Sequence, residues 1–173
     1  MLTEKQVKYI ATIPESRKAK ITPFDSKSLL VAQEMVEKIK FVVPDLEVNL
    51  FGSLALRIAG EKDVDISIYC ESAKYYQYFD SLVKIFGKPN RELEHAIKWQ
   101  FMEKEHNYDI NLIDPGADFA KRNARAFDIL KNNPALLHEY EELKWQFHGK
   151  SYRQYQTAKF EFFNKLLKVS YPN

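Results

Sequence analysis

The segment 63–69, with the sequence DVDISIY, alternates strictly between polar and apolar residues. Successive side chains of a β-strand point to opposite faces of its sheet, so a period of two predicts a strand with one buried and one polar face. The segment 46–51, LEVNLF, alternates in the same way and predicts another strand. The chain must therefore fold around a β-sheet whose two faces differ in polarity.

Two further strands and a series of helices are predicted around this pair. One strand is predicted by the alternating residues Leu93, His95, Ile97, Trp99 and Phe101. A turn at 105–107 and a strand over 108–113 complete a hairpin, whereas the mixed, basic stretch 1–22 is assigned no element. Helical periodicity and capping residues predict helices over 25–40, 54–59, 72–86, 117–131, 134–147 and from 151 onward. A helix, a mixed sheet and then C-terminal helices predict an α+β fold rather than an all-parallel one.

Length and composition bound the class of protein. The 173 residues predict a single domain with an N-terminal segment (1–22), an α/β core (23–116) and C-terminal helices (117–170). The formal charge of +2 gives no strong nucleic-acid signal, and no apolar run reaches the roughly 18 residues of a membrane-spanning helix. The single cysteine, Cys70, excludes an internal disulfide and a thiolate zinc site. No secretory signal is visible at the N-terminus, so we expect a cytoplasmic protein.

Acidic residues on the predicted strands form a candidate metal site. Asp63 and Asp65 are two positions apart, so they share one strand face with a spacing of about 7 Å. Burying two like charges without a counter-ion is unfavourable, and Mg²⁺, which binds carboxylates together with water and phosphate oxygens, removes that cost. Asp109 alternates with apolar neighbours on the last strand, so it can face the same side and complete a two-metal site.

A phosphate-binding segment is predicted just before these acids. Gly52 lets the backbone approach a phosphate closely, and the helix predicted after it offers unpaired N–H groups. Ser53 adds a hydroxyl donor. The basic residues that can neutralise a phosphate leaving group are Arg57, Lys62, Lys98, Arg122, Arg125 and Lys159. For each of these patterns the alternative is an ordinary exposed sheet face, turn or solvated surface charge.

The combined pattern resembles a known superfamily. Gly52 and Ser53, followed by Asp63 and Asp65, resemble the signature of the polymerase-β-like nucleotidyltransferases. The segments ITPFD (21–25) and RAFDIL (125–130) resemble one branch, the GrpB-like family. The same family is indicated by Asn133, Pro134, Tyr140, Leu143, Lys144, Tyr155, Lys159, Phe160 and Glu161. This resemblance covers about residues 20 to 168, although the loop LALRIAGEK is shorter than the family's and lacks its proline.

The resemblance implies a small mixed sheet of the nucleotidyltransferase type, within one nucleotidyltransferase-like domain whose catalytic core is 23–116. It implies that Asp63, Asp65 and Asp109 are catalytic metal ligands for Mg²⁺, with one or two ions. Nucleotide binding is assigned to Gly52, Ser53, Arg57 and Lys62, with Lys62 standing in for the family's lysine. The implied reaction transfers a nucleoside monophosphate from an NTP to an unidentified acceptor, which can be a small molecule, a protein or an RNA end.

Two other interpretations remain open from the sequence. A non-catalytic nucleotide-binding or protein-interaction module would keep the fold, but it would not require three acids directed at one cleft. A small RNA-binding protein would need a clear basic excess to neutralise phosphates, which the balanced charge does not provide. Mg²⁺-dependent NTP binding would distinguish the transferase from the module.

Overall fold

A computed structural model describes residues 1–169, so residue 170 of the predicted C-terminal helices and residues 171–173 lie outside the described part. The chain forms two compact units. We call residues 24–58 and 62–123 the sheet unit, and residues 1–23, 59–61 and those from 124 onward the helical unit. Each is described by itself, and the predicted division of the chain as one domain stays a prediction.

The secondary structure is α+β, as the sequence predicts. The strands are β1 (Glu47–Phe51), β2 (Asp63–Tyr69), β3 (Arg91–Leu93), β4 (Ala96–Glu103) and β5 (His106–Ile113). The helices are α1 (Glu4–Thr12), α2 (Ser26–Val42), α3 (Gly52–Ala55), α4 (Tyr75–Phe86), α5 (Asp118–Asn132), α6 (Pro134–Gln146) and α7 (Tyr152–Val169). No helix within residues 1–169 is long and apolar enough to cross a membrane.

The sheet unit is built on one mixed, five-stranded sheet with the order β1-β2-β5-β4-β3. β1 is antiparallel to β2, β2 is parallel to β5, and β5 is antiparallel to β4. The predicted hairpin between the last two long strands is therefore confirmed. A parallel pair needs a long crossover connection, and here the chain between β2 and β5 supplies α4 and the β3–β4 ladder.

One face of this sheet builds the core of the sheet unit. Val64, Ile66 and Ile68 of β2 are completely buried, as are Ile110 and Leu112 of β5. These side chains form one apolar cluster with residues of α2 and α4. Burial at about 25 cal/mol per Å² of apolar surface makes this face the main source of stability for the unit.

The helical unit closes around the short segment between α3 and β2. Lys144 of α6 is 1% exposed, and its Nζ donates to the carbonyl oxygen of Ala59 at 3.0 Å. Glu141 of the same helix accepts from the Ala59 N–H at 2.7 Å, and the Lys144 ammonium also lies 4.6 Å from the centroid of the Tyr140 ring. A buried lysine requires such partners, so this family-pattern residue serves to anchor the segment 59–61.

Several elements differ from the sequence predictions. The strand predicted through Leu93 and His95 is a hairpin, with β3 and β4 joined by a turn at residues 94 and 95. The stretch assigned no element contains α1, which begins with a reciprocal capping box between Thr3 and Gln6. The helix predicted over 54–59 is the four-residue α3, because Arg57 has a φ of +57° and cannot continue a right-handed helix. The turn predicted at 105–107 is shorter, since β5 already begins at residue 106.

Candidate active site

The polar face of the sheet carries all three predicted acids. In the parallel pair of β2 and β5, Asp65 lies directly opposite Asp109, and Asp63 lies opposite Asn107. The burial of both strands alternates, so these three carboxylates face away from the apolar core and are half-buried. The sheet thus brings the three acids to one face of two neighbouring strands.

Gly52 lies against the carboxylate of Asp65. Its φ of +71° is in the left-handed region, which favours glycine. A Cβ built on Gly52 would overlap Oδ2 of Asp65, so the position has no room for a side chain. The Asp65 carboxylate therefore packs on the β1 side of its own strand, against the first residue of α3.

The carboxylate of Asp109 is held from the opposite side. Nζ of Lys98 lies 2.6 Å from its Oδ2, and Nε2 of Gln100 donates to the same oxygen at 3.2 Å. Nδ2 of Asn111 donates to Oδ1 at 2.7 Å. Lys98 and Gln100 belong to β4, so two of these contacts draw Asp109 away from β2.

The acids therefore share a face without converging. Asp65 packs toward β1 and Asp109 is bound toward β4, while Oδ1 of Asp63 accepts from Nδ2 of Asn107 at 3.2 Å. Among residues 1–169, no group of three or more acidic, histidine or cysteine side chains is close enough to hold a metal ion. Three carboxylates on one face nevertheless fit Mg²⁺ in donor chemistry. A site made of all three requires Asp109 to turn toward β2.

The predicted nucleotide-binding residues occupy the connection from β1 to β2. Ser53 lies half-buried in the first turn of α3. Arg57 and Lys62 have exposed side chains, which make no hydrogen bond or ion pair with the described residues. Both have positive φ, +57° and +64°, as is typical of tight turns. The four residues of α3 offer a weaker helix dipole than the longer helix predicted from the sequence.

Sequence reasoning missed the partners of Asp109. Lys98 is among the predicted basic candidates, but as a group for the leaving phosphate rather than as the ion-pair partner of an acid. Gln100 and Asn111 are not singled out by the sequence. Alternation along β4 places Lys98 and Gln100 on one face, which is a usable signal. The register that sets them beside Asp109 is a long-range property, so the pairing itself is not visible in the sequence.

Solved structures that resemble the chain do so at low similarity. A cytoplasmic RNA terminal U-transferase matches with 16% identity and a TM-score of 0.41, over 81% of this chain and 46% of that one. The Cid1 poly(U) polymerase with Mg and 3′-dATP bound matches with 15% identity and a TM-score of 0.42, over 81% and 46%. This chain thus spans just under half the length of these structures.

Sequence comparison gives the family. No curated protein matches the chain. The family model described as GrpB protein matches residues 18–169, which include every candidate residue on the polar face of the sheet and most of the helical unit. The match covers far more than half of the sequence. The chain belongs to the GrpB family.

Proposed function

We propose that the polar face of the sheet is the site of a metal-dependent nucleotidyltransferase. The reaction transfers a nucleoside monophosphate from an NTP to an acceptor hydroxyl. The observation that carries this proposal is the register of β2 and β5, which sets Asp65 opposite Asp109 with Asp63 on the same face. Gly52, whose backbone lies against Asp65, supports it because only a residue without a side chain fits there.

Three acids divide the work at this site. Asp63 and Asp65 would hold Mg²⁺, and Asp109 would complete the site after turning toward β2. When bound, the cation supplies positive charge that stabilises the developing charge on the phosphate oxygens. Asp109 is the proposed general base, since its carboxylate can accept the proton of the acceptor hydroxyl.

The transfer is an in-line displacement at the α-phosphorus of the NTP. The acceptor oxygen forms a bond to that phosphorus while the bond to the β-phosphate bridging oxygen breaks. Pyrophosphate leaves with the electron pair of the broken bond, and the hydroxyl proton passes to Asp109. Gly52 permits close approach of the triphosphate, Ser53 donates a hydroxyl hydrogen bond, and the exposed Arg57 and Lys62 neutralise pyrophosphate.

A second candidate is a nucleotide-binding or interaction module that no longer catalyses transfer. The specific observation in its favour is that both oxygens of Asp109 already have partners, among them the ammonium of Lys98 at 2.6 Å. A permanent lysine in place of a metal would leave the fold intact and remove the reaction. The two candidates differ in whether NTP binding requires a divalent cation.

A thermal-shift panel tests the proposal. The four NTPs are added with and without Mg²⁺ to the wild type and to an Asp63→Asn/Asp65→Asn double variant. A ligand at 100 times its Kd should stabilise the wild type by about 2.7 kcal/mol, and the double variant should lose that shift. The matched control is Asp45→Asn/Asp80→Asn, which removes two exposed carboxylates elsewhere.

Release of pyrophosphate and incorporation of an α-labelled nucleotide then test transfer itself, with candidate acceptors of each class. NTP binding that requires Mg²⁺ and both aspartates supports the transferase. Binding that is independent of Mg²⁺ and of both aspartates favours the non-catalytic module. No shift with any NTP would contradict the transferase and a nucleotide-binding module, and it would favour a protein-interaction module.

A further inference from the structure

Lys98 and Asp109 form an ion pair inside the proposed site, with 2.6 Å between Nζ and Oδ2. Its two side chains are 29% and 24% exposed, so they are screened from water much more than the pairs on the helices. The other groups that bind the Asp109 carboxylate, Gln100 and Asn111, are neutral. Of these three partners of Asp109, Lys98 is thus the one with a positive charge.

We propose that Lys98 is an internal counter-ion, which holds Asp109 away from Asp65 until a divalent cation and a triphosphate bind. This inference rests on the proposed function. Lys98 is a positioning residue, because it acts on the reaction through Asp109.

Electrostatics explains why such a residue is needed. Asp63, Asp65 and Asp109 put three carboxylates on neighbouring positions of two strands, and like charges at this spacing repel. An ammonium at 2.6 Å from Asp109 removes part of that repulsion while no cation is bound. The same contact directs Asp109 toward β4, on the far side of its strand from β2.

The ion pair of Lys98 with Asp109 also affects how tightly the site binds a free cation and a cation together with a triphosphate. A divalent cation that uses Asp109 has to compete with Lys98 for Oδ2, so the ion pair weakens binding of the cation alone. Once released, the Lys98 ammonium remains on the same face of the sheet as the acids. An ammonium there can form charge-assisted hydrogen bonds with triphosphate oxygens. Lys98 therefore opposes the free cation and favours the cation together with a triphosphate.

Two titrations test the inference, and neither requires turnover. The first follows Mn²⁺ binding by electron paramagnetic resonance in the absence of nucleotide. Lys98→Met should bind Mn²⁺ about tenfold more tightly than the wild type, because the competing ion pair is gone. The second measures inorganic triphosphate by calorimetry at saturating Mn²⁺, and here Lys98→Met should bind about tenfold more weakly.

Two variants separate this effect from general changes in charge or folding. Lys38→Met removes a positive charge from the exposed surface of α2, whose apolar side packs in the core, and should match the wild type in both titrations. Lys98→Arg keeps the positive charge beside Asp109 and should stay near the wild type for Mn²⁺ alone. Thermal melts of each variant confirm that it is folded before titration.

The outcomes distinguish this inference from the proposed function. If Asp65→Asn removes Mn²⁺ binding but Lys98→Met leaves it unchanged or weaker, the role of Lys98 is overturned and the metal site stands. If Mn²⁺ binds to neither the wild type nor Lys98→Met, both proposals are overturned. If Lys98→Met binds Mn²⁺ more tightly but binds triphosphate as the wild type does, the proposed contact of Lys98 with phosphate is overturned.

Discussion

The two faces of β2 alternate residue by residue, yet they meet opposite requirements. On one face Val64, Ile66 and Ile68 are completely buried in the apolar cluster with α2 and α4. On the other face Asp63 and Asp65 stay half-buried and crowd like charges together. The first arrangement stabilises the fold by burying apolar surface, which the second does not do. A strand fixed on one face by its core can therefore present acids in a defined register on the other.

The largest expected effect comes from neutralising an acid on the polar face. Asp65→Asn should lower the rate of nucleotidyl transfer by about 10² to 10⁴ because it removes a proposed metal ligand. A variant that stays folded separates this loss of activity from a loss of stability. The measurements are single-turnover transfer and urea unfolding. Full activity in this variant would mean that Asp65 is not a ligand, whatever its effect on stability.

The neighbouring residue tests the apolar face. Ile66→Ala removes a completely buried side chain from the core, and it should lower the free energy of unfolding by about 3 kcal/mol. At temperatures where the variant remains folded, Mn²⁺ affinity should equal that of the wild type. Urea denaturation and the Mn²⁺ titration measure the two quantities. A folded Ile66→Ala protein with a large loss of Mn²⁺ affinity would show that the two faces are not independent.

The sequence predicts correctly which face of the sheet each of these acids lies on, but it does not predict their contacts. Alternation fixed the bounds of β2 correctly and placed Asp63 and Asp65 together, because side-chain direction in a strand is a local property. Whether Asp109 lies opposite Asp65 depends on the pairing of strands separated by about forty residues of chain. The sequence is compatible with this pairing but does not predict it. The contact of Lys98 with Asp109 depends further on side-chain rotamers, which no pattern encodes.

The same limit explains the missed elements. The turn between β3 and β4 contains Glu94 and His95, which lack the glycine or asparagine that usually indicates a hairpin. Period two continues through it, so the sequence predicts one strand. α1 is preceded by a Thr3–Gln6 capping box, a signal that sequence reading did not use.

Gly52 follows β1 directly and lies against the carboxylate of Asp65 on β2. Gly52→Ala forces a side chain into the left-handed region, which costs about 1–2 kcal/mol, and the new methyl group overlaps Oδ2 of Asp65. We expect a loss of about 2 kcal/mol in unfolding free energy together with weaker Mn²⁺ binding. Gly87→Ala is the control, because Gly87 has a similar φ of +75° with open space around its Cβ position. Equal effects of both substitutions on Mn²⁺ binding would contradict the contact with Asp65.

Asp114 provides the smallest and most specific test, because it follows β5 but has a structural role. Its carboxylate accepts backbone N–H groups from Ser72 at 3.1 Å and Gly116 at 2.8 Å, and these bonds lower its pKa below the ordinary value. A carboxyl whose pKa is lower in the folded state stabilises the fold above its unfolded pKa, and that contribution is lost as the pH falls through the folded value. Asp114→Asn should therefore be less stable than the wild type at pH 7, and the difference should shrink below about pH 4.

Urea unfolding of both proteins between pH 7 and pH 3 measures this difference, with Asp80→Asn as the control for loss of an exposed carboxylate. A difference that stays constant down to pH 3 would show that Asp114 stabilises the fold by packing rather than by its charge. A stability difference that disappears in acid would show that Asp114 stabilises the fold by its charge. Two aspartates around β5 would then have different roles. Asp114 has its charge satisfied by the backbone and contributes stability. Asp109, five residues earlier on the same chain, has its charge satisfied by Lys98, which we propose is replaced when a cation and a triphosphate bind.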